Sequence, residues 1–151
     1  MSHTTTLKTV NISDTQALSD AVDFLRSRGL EAELVQNAVP RMYYANQYGK
    51  CDYVLRLPKS LYDIGFDKQK DGSYAPVFDS WAGELQRQIG NPESCPIPVT
   101  QEEREAAAVA SLLNAYGVFA AKRQLESEGY YGFDISVNEA DNSYTLECTV
   151  Y

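Results

Sequence analysis

The 151-residue chain reads as one α+β domain over residues 1–151, a two-layer sandwich of a mainly antiparallel sheet with two main helices on one face. Three observations predict this. Residues 62–81 have the pattern of a β-hairpin, residues 130–150 have that of a second, and helix-period segments near 14–28 and 101–128 flank the first. A helix has one apolar stripe and a sheet one apolar face, so two helices laid on one sheet face bury both economically.

The central hairpin organises the rest. Tyr62, Ile64 and Phe66 alternate with Asp63, Gly65 and Asp67 at the strand period of two. Lys70-Asp71-Gly72-Ser73 supplies the turn, because Asp-Gly tolerates positive φ. Tyr74, Val77 and Phe78 begin the return arm, which the single tryptophan, Trp81, closes.

Taken in order, residues 4–12 are Thr-rich and β-branched and predict an opening strand. Ser13 or Asp14 caps a helix whose Ala17, Leu18, Ala21, Val22 and Leu25 recur at three- and four-residue spacing, with Gly29 as its stop. Residues 30–35 alternate again as a strand, 37–40 turn, and 41–48 and 51–57 read as two further strands ended by Pro58. Residues 81–89 predict a short helix and 90–99, with Pro92, Pro96 and Pro98, a loop. Thr100-Gln101-Glu102-Glu103 is a capping box opening one long helix over 101–128. Phe133, Ile135 and Val137, then Tyr144, Leu146, Cys148 and Val150, mark the second hairpin around a turn at 138–143. Leu25-Arg26-Ser27-Arg28-Gly29 and Leu125-Glu126-Ser127-Glu128-Gly129 are similar helix ends, each preceding a strand.

Composition narrows the function. Hydrophobic residues make up 44% and charged residues 23%, ordinary globular values. The net charge is −8. It is unevenly placed: residues 1–60 hold seven Lys/Arg against six Asp/Glu, residues 61–151 six against fifteen, with no basic side chain from Glu126 onward. Phosphate backbones are repelled by that half, which argues against nucleic acid as the main ligand and leaves room only for a local basic patch. Cys51, Cys95 and Cys148 are an odd, widely spaced set that suits free thiols in a reducing compartment. The start shows no secretory signal, and no apolar run approaches the ~20 residues a membrane span needs. A cytoplasmic protein with no membrane contact is expected.

Reactive constellations are sparse. The one histidine, His3, is the sole base for a nucleophilic triad and lies at the terminus. One His and three scattered Cys make no zinc site, and Gly49-Lys50 lacks the rest of a phosphate loop. Residues 67–72 resemble the first half of a calcium loop, but Phe78 stands where the bidentate glutamate belongs. No cofactor and no metal is expected. Asp52, Asp63 and Asp79 sit on adjacent predicted strands and are the candidates for a carboxylate pair, Asp63 and Asp79 foremost. Strand aspartates more commonly face solvent or cap turns. Tyr43, Tyr44, Tyr48, Tyr53, Tyr62, Tyr74 and Trp81 are either an exposed aromatic patch or core beneath the helices. The patch makes Tyr43, Tyr44, Tyr48, Tyr62 and Trp81 the candidate binding residues. The function expected is a protein-binding adaptor or regulatory module without chemistry of its own. The alternative is a small enzyme using Asp63 and Asp79 near the central hairpin.

Met1-Ser2-His3 before a Thr-rich strand, Tyr62-Asp63-Ile64-Gly65-Phe66, Asp71-Gly72-Ser73-Tyr74, then Asp79 and Trp81, resemble the Ycf35-like family of cyanobacteria and red-algal plastids. Asn37-Ala38-Val39 and the Gly132-Phe133 hairpin also fit, so the resemblance covers most of the chain. It departs at the end, where Thr149-Val150-Tyr151 replaces a basic pair before an aromatic. The family carries no established activity. The resemblance implies a protein of photosynthetic cells, in cytoplasm or plastid stroma, or of phages infecting them, with an AAA-type ATPase as a partner.

Overall fold

The structure, a computed structural model, describes residues 4–6, 11–42, 49–79, 86–90 and 100–149. Five strands, β1 (Thr4–Thr6), β2 (Glu33–Ala38), β3 (Cys51–Arg56), β4 (Ile64–Lys68) and β5 (Tyr74–Asp79), pair antiparallel in the order β1-β5-β4-β3-β2. The helices are α1 (Thr15–Ser27), α2 (Gln86–Ile89), α3 (Gln101–Ala107) and α4 (Ala110–Ser127). A separate two-stranded sheet, β6 (Tyr131–Asn138) and β7 (Ser143–Thr149), ends the described chain. The fold is α+β, as expected.

The hairpin β4–β5 takes its register from its turn. Gln69 N donates to Ser73 O at 2.7 Å, Gly72 has φ 88°, and the Asp71 carboxylate accepts from Ser73 N and Oγ. The turn at Asp141-Asn142-Ser143 repeats this, with Asn142 at φ 61° and Asp141 accepting from Ser143 N and Oγ. The two similar helix ends are also the same structure. Leu30 N reaches Leu25 O and Gly29 N reaches Arg26 O, as Tyr130 N reaches Leu125 O and Gly129 N reaches Glu126 O. Both are Schellman caps.

One face of the sheet is covered by helices. Leu55, Ile64, Phe66 and Phe78 share a buried cluster with Ala17, Leu18, Ala21 and Val22 of α1 and with Leu112, Ala115 and Phe119 of α4. Tyr116 fixes the two helices together, its hydroxyl accepting from Ser13 N (3.0 Å) and Asp14 N (3.1 Å). Asp14 caps α1 through Ala17 N and pairs with Arg123 at 2.7 Å. The opposite sheet face holds a small second cluster of Met42, Cys51, Val54 and Val77.

Several expectations needed correction. Of the opening strand expected over 4–12, Thr4–Thr6 form β1, residues 7–10 lie outside the described residues, Asn11 is not in a strand and Ile12 makes an isolated bridge to Tyr74. The second strand is Glu33–Ala38 rather than 30–35, because Gly29 and Leu30 are spent in the cap of α1. The long helix is broken. Val109, at φ −126°, bonds back to Ala106 O and sends a wholly buried side chain into the core. No Pro or Gly marks that break. The predicted strand over 41–48 lies outside the described residues beyond Met42, which is not in a strand, as does most of the loop over 90–99; of the short helix predicted over 81–89, Gln86–Ile89 are described.

Candidate functional site

Asp63 and Asp79 do not face solvent. Both are 0% exposed, against the expectation for strand aspartates. They are not ladder partners: Asp63 lies just before β4, Asp79 ends β5 opposite Thr4, and the β4–β5 ladder ends at Gly65↔Val77.

The surroundings of Asp63 are laid out in detail. Its carboxylate accepts from Arg41 N (2.9 Å), Arg41 Nε (3.0 Å), Arg41 Nη2 (2.7 Å), Arg56 Nη1 (2.7 Å) and Leu57 N (3.2 Å). The guanidiniums are themselves tied to backbone, Arg41 to Leu57 O and Arg56 to Val39 O. Asp63 N closes the arrangement by donating to Arg41 O at 3.0 Å. Burial by itself raises the cost of ionising Asp63 and is the largest influence. The bonds from Arg41, Arg56 and Leu57 together outweigh it and hold the carboxyl below its ordinary range. The same pairing raises Arg41. A carboxylate saturated by five donors and held ionised is a poor proton acceptor or donor near neutral pH. Chemically this cluster is a clamp joining the segment before β3 to the β3–β4 connection.

Asp52 has a structural use, accepting from the Tyr74 hydroxyl at 2.9 Å. Burial chiefly, and then Asp52, raise the Tyr74 phenol. Tyr74 in turn stands edge-on to Tyr53, with ring centroids 5.4 Å apart. Tyr62 is 7% exposed and Tyr74 9%, so neither contributes to an exposed aromatic patch. They are core. Tyr43, Tyr44, Tyr48 and Trp81 lie outside the described residues. His3 and Cys95 do too. Asp71, in the calcium-like stretch, is occupied by Ser73. Among the described residues no three His, Cys, Asp or Glu side chains lie close enough to hold a metal ion, and no helix is long and apolar enough to cross a membrane.

Among the strands whose burial is described, those of the C-terminal hairpin are the most exposed. Its inner side rests on the helices: Tyr144 packs on Phe24 (centroids 5.9 Å), and Lys122 stands 5.7 Å from the centre of the Phe133 ring. Along both strands every second residue is exposed, and Tyr131 is 45% exposed. Asp134 and Glu147 are direct cross-strand partners on the exposed side. Like charges so placed are unfavourable to an isolated hairpin. Within this two-stranded sheet each strand keeps one edge without a ladder partner among the described residues. An open cleft of ≈ 580 Å³ lies between α4 and the start of β7, lined by Leu113, Asn114, Gly117, Val118 and residues 141–144.

Sequence reasoning missed Arg41 and Arg56 as partners of Asp63. They are 22 and 7 residues away from it. No local pattern joins them. The hairpin's acidity was legible, because no basic residue follows Arg123. No family model, curated protein or solved structure matches the chain.

Proposed function

We propose that this protein works by binding another protein, through its C-terminal hairpin, and has no reaction of its own. The observation that carries the reading is the hairpin's construction: a two-stranded sheet backed by helices on one side, with open edges and an exposed face carrying Asp134 and Glu147. Exposed strand edges and accessible aromatic side chains such as Tyr131 are usual components of protein contacts. The rival enzyme reading loses its support at Asp63, whose carboxylate is fully engaged. None of the clefts at α4–β7, beside α1 and β2, or between α1 and α2 is lined by Asp63 or Asp79. The resemblance to the Ycf35-like family adds an AAA-type ATPase as the first partner to try.

The test is affinity capture with the full chain and with the double charge reversal Asp134→Lys/Glu147→Lys. Both side chains are exposed, so the variant keeps its core. The expected result is a partner retained by the parent and lost by the variant. Equal retention by both overturns the reading.

A further inference from the structure

Four features of the hairpin bear on the chemistry of its partner. The first is the difference between its edges. Pairing runs Tyr131↔Thr149 and then Asp134↔Glu147, so two residues of β6 stand opposite one of β7. That bulge bends the β6 edge, and bulges protect edges from further pairing. β7 carries no such interruption over its seven residues, Ser143–Thr149. Of the two outer strands of the large sheet, β1 is described over only three residues, Thr4–Thr6, and β2 is interrupted as well. Its ladder skips the Asn37–Asp52 pair, where Asn37 has φ 51°.

The second is the absence of the side chains that usually guard an edge. Strands β6 and β7 contain no lysine and no proline. The third is charge. Asp134 and Glu147 face one another across the ladder, and Glu126, Glu128 and Asp141 stand in the flanking segments. A second copy of this acidic strand would be repelled, whereas a cationic side chain set beside Asp134 and Glu147 would relieve their repulsion. The fourth is the cleft. It is lined by Ser143 and Tyr144 of β7 and by no residue of β6, so it opens on the β7 side. Its helix wall includes Gly117, where an added Cβ would meet nothing within 4 Å. Leu113 and Val118 supply apolar surface beside it.

We propose that the free edge of β7 accepts an extended, lysine- or arginine-rich segment of the partner protein as a third strand. Backbone hydrogen bonds to β7 give the register, and the cleft against α4 takes a small apolar side chain. Basic residues lie over Asp134 and Glu147. This rests on the binding reading above and specifies its partner.

The probe is a ten-residue peptide of alternating lysine and valine, added to the full chain at low salt. Backbone amide exchange followed by NMR should slow along β7 and remain unchanged along β2. Two further peptides carry N-methyl groups on alternate residues, one on the odd and one on the even positions. A strand has its amides on two edges, so one methylated peptide should lose at least about tenfold in affinity and the other bind as the parent does. Asp134→Asn and Glu147→Gln should each weaken binding by about threefold. The proposal is overturned if the peptide does not bind, if protection appears elsewhere, or if both methylated peptides bind equally. The methylation comparison uses the parent protein and so survives a misfolded variant. If these fail while partner capture still depends on the hairpin, strand addition falls and the binding reading stands. If capture is indifferent to the hairpin, the binding reading falls.

Discussion

Asp63→Asn removes one charge at nearly constant shape, and the structure makes it a severe change. Five donor groups make six hydrogen bonds to the carboxylate, two of the donors being backbone N–H groups. An asparagine amide offers one oxygen and sets its own N–H groups against the remaining donors. Breaking a fully buried ion pair by removing one partner costs about 3–5 kcal/mol. The side chains of Arg41 and Arg56 are 44% and 33% exposed, so they recover part of their hydration when the carboxylate is lost. The expected loss is therefore about 2–4 kcal/mol, and for a chain of this length ~3 kcal/mol corresponds to a fall in Tm of roughly 6–12 °C. Urea denaturation of parent and variant at pH 7 measures it directly. The pH dependence supplies a second reading of the same contact. The folded-state pKa of Asp63 lies below the ordinary 3.8, so its contribution is whole above that value and is lost as pH falls through the lower folded pKa. The difference between parent and variant should narrow below pH 3.8. A variant within ~0.5 kcal/mol of the parent at pH 7 would refute the clamp.

Two further outcomes are expected. Gly65→Ala places a Cβ at 2.9 Å from Cys51 Sγ and 3.0 Å from both Pro40 Cγ and Val77 Cγ1, so it should destabilise by about 1–3 kcal/mol, measured in the same denaturation assay. A neutral result would mean that the second cluster is loosely packed. The thiols should separate kinetically: burial, then Asp67 and Asp52, push Cys51 up to about 11, whereas Cys148 is exposed. Thiol modification of the native protein at pH 8 should therefore label Cys148 well before Cys51, and unfolding should abolish the difference.

The sequence by itself determined what is local. Alternation at 64–66 and 133–137, the Asp-Gly turn, the capping threonine and the paired helix ends depend on residues within a few positions of one another, and each took the structure its spacing implies. The excess of acid after Arg123 was equally plain, since composition needs no coordinates. What joins distant segments was not legible. Tyr62 and Tyr74 have the same residue type and the same alternation whether they face solvent or the interior, and only the folded chain buries both, Tyr74 within the cluster that α1 and α4 share. The break at Val109 follows from fitting that side chain into the core, with alanines on either side that permit a straight helix as readily. The second hairpin could have extended the large sheet; it rests instead on α4, with Tyr144 against Phe24 of α1, and among the described residues no further strand pairs with it. Asp63 shows the division most sharply. The alternation over 62–66 placed it on a strand, whereas it lies in the connection just before β4, and its partners come from Arg41, Arg56 and Leu57; which donors surround a buried carboxylate is decided only when the chain has folded.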